Sequence, residues 1–201
     1  MIPPKLHNIL KTITDNLATD QVPYALIGAL ALSLYGLPRF TADIDLLTED
    51  RFWHLISRTM ERLGYTCYQK TKAFAQFDSE LGVLGKIDFM FVSTQEGREI
   101  IKRSVLVNSE LMGSHPVIQP NDYIILKLMA IANNPDRSSK DEGDILAVFE
   151  LCKKGLIPEN FASLDIRSID PFAERFGLRK KLKEYFDRVF YGSEETGSFA
   201  L

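Results

Sequence analysis

The chain has 201 residues, of which 45% are hydrophobic and 25% are charged, as is usual for a folded protein. This length allows one α/β core with a helical addition. The formal net charge of -3 excludes a generally basic nucleic-acid-binding coat but permits a local basic face. No apolar run approaches the roughly 20 residues that a membrane helix needs, so no membrane association is expected.

The two cysteines indicate the cellular compartment. Cys67 and Cys152 are far apart and match no metal-binding or redox spacing. They are best interpreted as free thiols in a reducing compartment, which predicts a cytoplasmic protein. Residues 1–13 contain two prolines and several polar or charged residues, and they do not resemble a signal peptide.

The first half of the chain mixes helical and strand-like patterns. Helical spacing of apolar residues or capping signals predict helices at residues 5–18, 29–35, 49–63 and 95–102. Thr48 is the expected N-cap of the third helix, and Gly64 is its expected C-cap. Short apolar or alternating runs predict strands at 24–27, 43–47, 65–68, 73–77, 84–92, 104–108 and 116–118.

The pattern changes at Pro120, after which no strand is expected. Helices are predicted at residues 121–132, 139–154, 158–164, 171–176 and 178–191. We therefore predict a mixed α/β domain over residues 1–118 and a helical domain over residues 119–201. The expected fold class is α+β, with a mixed β-sheet and flanking helices followed by a helical half.

Three aspartates lie on two of the predicted strands. Asp43 and Asp45 are two residues apart, so both carboxylates lie on one face of their strand, while Ile44 points the other way. Asp88 alternates in the same way with the apolar residues of a later strand. If the two strands are neighbours, the three carboxylates converge.

Converging carboxylates repel one another unless a cation neutralises them. Hard oxygen ligands suit Mg²⁺ or Mn²⁺, which commonly bridge protein carboxylates and substrate phosphates. A pair of such ions can stabilise both the attacking and the leaving oxygen of a phosphoryl transfer. The competing interpretation is that the aspartates are solvent-facing residues on half-exposed strands.

Gly28 ends one predicted strand and precedes a helix. Backbone N–H groups at such a turn can face a phosphate, although a glycine after a strand is usually only a turn. Its place ahead of Asp43 makes the phosphate interpretation more specific.

Gly28-Ala29, the paired Asp43-Ile44-Asp45 and the distant Asp88 together resemble the DNA polymerase beta-type nucleotidyltransferase superfamily. The resemblance implies a nucleotidyltransferase fold, a nucleoside triphosphate substrate, and Mg²⁺ or Mn²⁺ held by the three aspartates. Gly28 and Ala29 would hold the β- and γ-phosphates. The family usually has Gly or Ser where this chain has Ala29, so contact there would use the backbone alone.

A closer resemblance covers residues 24–150. Residues 28–31, residues 36–45 and the later blocks around Lys127, Arg137 and Asp144 are similar to the AbiE-type toxin nucleotidyltransferases. This resemblance implies a toxin–antitoxin or phage-defence setting, with an antitoxin protein as partner and tRNA or another nucleic acid as acceptor. A small-molecule acceptor, as in antibiotic-modifying relatives, remains open.

The resemblance also supplies a second set of candidate substrate-binding residues. In the helical half these are Lys127, Arg137, Lys140, Asp141 and Asp144, and just before the paired acids they are Arg39 and Thr41. The cations would hold the triphosphate, and an acid would assist the acceptor hydroxyl. Each of these residues also has an ordinary structural explanation. Lys127 could extend its ammonium group to the surface, and Asp141 could complement the helix dipole. Lys140 and Asp144 could form a surface ion pair, and Arg39 and Thr41 could simply be solvated loop residues.

Two further alternatives remain. The first is a catalytically silent protein of the same fold that binds a nucleotide or a partner. The second concerns the last helix, where the run Arg179-Lys180-Lys181 is either a solvated face or a contact surface for RNA phosphates.

Overall fold

The structure, a computed structural model, describes residues 4–38, 40–79 and 85–192, apart from the side chains of residues 4, 5 and 137. The α-helices, named α1 to α8 in chain order, are Pro4–Thr19, Gly28–Leu34, Trp53–Arg62, Gln95–Lys102, Pro120–Asn133, Ser138–Lys153, Ile166–Arg175 and Arg179–Phe190. The strands β1 to β7 are Tyr24–Leu26, Asp43–Glu49, Tyr65–Lys70, Phe74–Ser79, Lys86–Val92, Val105–Ser109 and Gly113–Val117. Single 3₁₀ turns cover Asp50–Phe52 and Pro135–Arg137.

Residue contacts divide the chain into two compact units. An α/β unit contains residues up to 34 and residues 38–119, and a helical unit contains residues 35–37 and those from 120 onward. The domain division at residue 118 stays a prediction, because a contact pattern does not show that either part folds alone.

The α/β unit is built on a mixed sheet. In the described residues this sheet has seven strands in the order β3-β4-β5-β2-β1-β7-β6. At its centre β2 pairs in parallel with β5 and antiparallel with β1. The fold class predicted above, a mixed sheet with flanking helices followed by a helical region, is confirmed.

One face of the central strands is apolar and completely buried. Ile44 and Leu46 of β2 and Ile87 and Phe89 of β5 have no exposed surface. Because side chains alternate along a strand, burying these residues turns the intervening aspartates to the opposite face. The hydrophobic core therefore dictates which way the acidic residues point.

The predicted N-cap at Thr48 is wrong, because β2 continues through Glu49. Thr48 is paired on both sides, with Tyr24 of β1 and with Phe91 of β5. Its hydroxyl donates to the carbonyl of Pro23 at 2.7 Å instead of capping a helix. Sheet pairing on two sides outweighs a local capping signal. Gly64 does follow α3 with a φ of 81°, as expected of a helix C-terminus.

The helical unit differs from the prediction between residues 154 and 176. Residues 158–164 form no helix; instead, the N–H of Phe161 donates to the carbonyl of Pro158 in a turn. The buried Phe161 ring packs edge-on against Tyr35 with centroids 5.0 Å apart, which holds this segment without helical bonds. Helix α7 begins at Ile166, before the expected start, with the Asp165 carboxylate capping its first turn.

Helix α5 forms the centre of the helical unit. Its buried residues lie on all sides, as expected of a helix that is apolar around most of its circumference. Helices α6 and α7 both pack against it, and α8 packs against those two. None of the described helices is long and apolar enough to cross a membrane.

Replacing Thr48 by Val should lower the free energy of unfolding of the protein by about 0.5–1.5 kcal/mol, because the partly buried carbonyl of Pro23 loses its hydrogen-bond donor. The measurement is urea unfolding followed by the fluorescence of Trp53, which lies in the same unit against Phe77 and Phe91. Thr66→Val, at an exposed position of β3, is the matched control and should unfold like the native protein. Equal stability of both variants would show that the hydrogen bond from Thr48 to Pro23 contributes nothing to the free energy of unfolding.

Candidate active site

The two strands that carry the aspartates are neighbours, as the hypothesis requires. Asp45 of β2 is the Cα partner of Asp88 of β5, and Asp43 is the partner of Lys86. All three aspartates are half-buried and lie on the face opposite the apolar core. The pairing therefore places two carboxylates side by side and the third two residues away.

Two glutamines extend this polar face across the sheet. Successive Cα partners form a row that runs Gln69, Gln76, Asp88, Asp45 across β3, β4, β5 and β2. The side-chain amide of Gln76 donates to Asp88 Oδ2 at 2.9 Å. Sequence reasoning missed Gln76. The usable signal was its alternation with the buried Ala75 and Phe77, which turns it to the acidic face.

Gly28 lies directly against Asp45. Its φ is 60°, in the left-handed region that favours glycine. A Cβ built on Gly28 would lie 2.7 Å from Asp45 Cγ, closer than real atoms approach. The neighbouring Ile27 N–H donates to the Asp45 carbonyl at 3.1 Å. The turn into α2, with Ala29 as its next residue, is thus held beside the paired aspartates.

Thr41 fixes the start of β2. Its hydroxyl donates to the carbonyl of Asp43 at 3.0 Å and accepts from the N–H of Asp43 at 3.2 Å. Thr41 is also buried, so the structure shows a positioning role, and phosphate contact stays a prediction. Arg39 lies outside the described residues.

The carboxylates are not drawn together to one point. Among the residues that the structure describes, no group of three or more His, Cys, Asp or Glu side chains is arranged to hold a metal ion. Asp88 is bonded to Gln76, and Asp45 faces Gly28. Like charges repel, so an attraction from a cation is needed to bring them closer. The donors are all hard oxygens on one face of paired strands, which fits Mg²⁺ or Mn²⁺.

The helical unit contains a second charged cluster. Lys127 of α5 is only 16% exposed, and its Nζ lies 2.7 Å from Asp141 and 2.7 Å from Asp144, both on α6. Tyr123 also donates its hydroxyl to Asp144 at 3.2 Å. Lys127 is therefore a largely buried ion-pair partner and not a surface lysine.

The other predicted residues of this unit are less involved. Lys140 is exposed on α6, and the side chain of Arg137 lies outside the described residues. The structure thus gathers Lys127, Asp141 and Asp144 in the helical unit. In the α/β unit it places Asp45 beside Asp88 and Gly28, with Asp43 on the same face two residues away and Ala29 next to Gly28.

The basic surface of α8 is largely neutralised by ion pairs. Arg179 binds Asp170 at 2.6 Å, and Lys181 binds Glu142 at 3.0 Å. Lys180 is also 3.9 Å from Glu184. These pairs favour the interpretation of α8 as an ordinary charged helix face.

No protein-family model and no curated protein matches this sequence, but solved structures do. ANT(2")-Ia in complex with adenylyl-2"-tobramycin superposes with a TM-score of 0.60 at 14% identity, covering 87% of this chain and 98% of that one. The lincosamide antibiotic adenylyltransferase LnuA, lincomycin-bound, gives 0.51 at 15% identity over 70% of this chain and 94% of its own. An antigenic nucleotidyltransferase-like protein from Paracoccidioides brasiliensis gives 0.51 at 14% identity over 93% and 97%.

The chain has the DNA polymerase beta-type nucleotidyltransferase fold. Identities of 14–15% establish this fold alone. What the protein does has to be argued from its own residues.

Replacing Gly28 by Ala should destabilise the protein by at least about 1–2 kcal/mol, because a side chain disfavours the positive φ and overlaps Asp45. Gly143→Ala is the matched control. Gly143 lies within α6 with open space around it, so alanine there should be neutral or stabilise by about 0.5–1 kcal/mol. Thermal unfolding of both variants tests this, and similar melting temperatures would contradict the close contact.

Replacing Lys127 by Met should cost about 3 kcal/mol of stability, because Asp141 and Asp144 would remain largely buried without their counter-charge. The control is Lys102→Met, which breaks the exposed pair with Glu99 and should leave stability near the native value. Urea unfolding followed by circular dichroism measures both. If Lys127→Met unfolds like the control, the cluster has no structural role.

Proposed function

We propose that the protein is a metal-dependent nucleotidyltransferase. It would move a nucleoside monophosphate from a nucleoside triphosphate to an acceptor hydroxyl and release pyrophosphate. The observation that carries this proposal is the register of β2 and β5, which aligns Asp45 with Asp88 and keeps Asp43 on the same face. That face lies beside the Gly28 turn, within a nucleotidyltransferase fold.

Each candidate residue named above in the α/β unit has a part in the proposed reaction. The oxygen of the acceptor hydroxyl bonds to the α-phosphorus, and the bond from that phosphorus to the bridging oxygen of pyrophosphate breaks. Asp43 and Asp45 would bind two divalent ions, and Asp88 would complete one metal site and take up the hydroxyl proton. The bound ions would stabilise the attacking and leaving oxygens. The backbone of Gly28 and Ala29 would hold the β- and γ-phosphates, assisted by Arg39 and Thr41.

The helical unit would contribute to substrate binding. On the resemblance to AbiE-type toxins, Lys127, Arg137 and Lys140 bind phosphate, and Asp141 and Asp144 support the acceptor. The ion pairs of Lys127 with both aspartates support a role for these residues as one unit. The same resemblance gives the biological setting that we propose, a toxin or phage-defence enzyme that modifies tRNA and is controlled by an antitoxin protein.

The structural neighbours suggest a different acceptor. The solved structures of ANT(2")-Ia and LnuA contain adenylyl-2"-tobramycin and lincomycin, respectively. A small hydroxyl-bearing molecule is therefore the alternative acceptor for the same chemistry. The assay must include both classes.

Asp43→Asn/Asp45→Asn should reduce nucleotide transfer by about 10² or more, because the amides cannot replace charged metal ligands. The native protein is incubated with Mg²⁺ or Mn²⁺, each α-phosphate-labelled nucleoside triphosphate in turn, and either total tRNA or tobramycin. Label should enter an acceptor with the native protein but not with the double variant.

The matched control is Glu110→Gln, which removes one exposed carboxylate in the β6–β7 turn and should not affect transfer. Metal-dependent nucleotide binding without transfer to either acceptor would favour the catalytically silent alternative. Absence of both transfer and metal-dependent nucleotide binding would refute the proposed function.

A further inference from the structure

Two residues on the acidic face have no part in the proposed chemistry. Tyr68 of β3 is 50% exposed, and Lys86 of β5 is exposed as well. The Lys86 ammonium lies over the Tyr68 ring, 5.7 Å from its centroid. Lys86 is also the Cα partner of Asp43 and lies two residues before Asp88 on the same face of β5. An open aromatic ring and a cation therefore lie next to the three aspartates.

An irregularity in β3 accounts for the position of Tyr68. Cys67 pairs with Phe77 and Gln69 pairs with Gln76, so Tyr68 is an inserted residue without a partner on β4. Such bulges redirect a side chain and often lie beside functional sites. Strand β3 is at one end of the described sheet, which leaves the ring accessible from solution.

The charged groups around Tyr68 act on its hydroxyl. The pKa of Tyr68 is raised above its ordinary value, first by partial burial and then by the negative charge of Asp88. Asp78 and Asp43 raise the pKa further, whereas Lys86 lowers it. The phenol is thus within electrostatic range of the carboxylates that would surround the reaction.

The contact between Lys86 and Tyr68 contributes little to the stability of the sheet. An exposed contact between a cation and an aromatic ring contributes only about 0.5–1 kcal/mol, and Tyr68 is outside the buried core. An accessible aromatic face, however, stacks on nucleic-acid bases, and a lysine ammonium binds phosphate. Proteins that bind single-stranded nucleic acid combine these two kinds of contact.

We propose that Tyr68 and Lys86 form the acceptor subsite and that the acceptor is the end of a single-stranded RNA. The terminal base would stack on Tyr68, and a backbone phosphate would contact Lys86, which brings the terminal hydroxyl towards Asp88. This inference rests on the proposed function.

The experiment measures binding and transfer separately. Binding of a fluorescently labelled, short single-stranded RNA is followed by anisotropy, without nucleotide. Tyr68→Ala should weaken binding about 5- to 100-fold, and Tyr68→Phe should restore it because the ring is kept. Lys86→Ala should weaken binding and reduce the slope of log affinity against log salt by about one, and Lys86→Arg should retain the slope.

The matched controls remove an exposed tyrosine and an exposed lysine at other positions of the protein. Tyr191→Ala removes a 72%-exposed tyrosine at the end of α8, and Lys102→Ala removes an exposed lysine of α4. Both should bind the RNA like the native protein. In transfer assays Tyr68→Ala should raise the KM for RNA and leave kcat nearly unchanged, which a general loss of structure would not do.

Several outcomes would contradict the proposed acceptor subsite. Native-like RNA binding by both Tyr68→Ala and Lys86→Ala would do so, as would the absence of RNA binding by the native protein. Transfer to tobramycin that is more efficient than transfer to RNA would assign the acceptor to the other class. Failure of the proposed function looks different, because the native protein would then show no metal-dependent nucleotide binding and no transfer to any acceptor.

Discussion

Electrostatic repulsion among carboxylates on one face of β2 and β5 is the constraint on which the rest of the site depends. The opposing face of the same strands supplies the force that resists this repulsion, because Ile44, Leu46, Ile87 and Phe89 are completely buried. A slip by one residue would move the aspartates into the core and the apolar side chains into water. Hydrophobic burial on one face therefore stabilises an unfavourable charge arrangement on the other.

The Gly28 turn depends on the same register. Strand β1 pairs with β2 on the side away from β5, and the chain turns into α2 where it passes Asp45. The Asp45 carboxylate occupies the space that a side chain at position 28 would need. Close packing and a positive φ both require glycine at position 28, whether or not the turn binds a phosphate. This requirement is compatible with the phosphate-binding role that we propose.

The helical unit contains both exposed ion pairs and a largely buried charged cluster. Its surface pairs, such as Arg179 with Asp170, are exposed and contribute little to stability. The cluster of Lys127, Asp141 and Asp144 is largely buried, where desolvation is costly and can exceed the attraction between the charges. An apolar set of similar volume would satisfy folding alone, which supports a functional reason for these residues under the proposal.

Local periodicity was enough to predict the α+β class, most strands and the shared face of Asp43 and Asp45, because alternation along a strand is a property of the sequence itself. It failed at Thr48, where pairing on both sides extended β2, and at residues 158–164, where packing of Phe161 replaced a helix. Only the tertiary structure aligned Asp45 with Asp88, joined Gln76 to Asp88 and placed Lys86 over Tyr68. The physical reason is that strand order and register are set by contacts between segments distant in sequence, and no local pattern encodes which segments will meet.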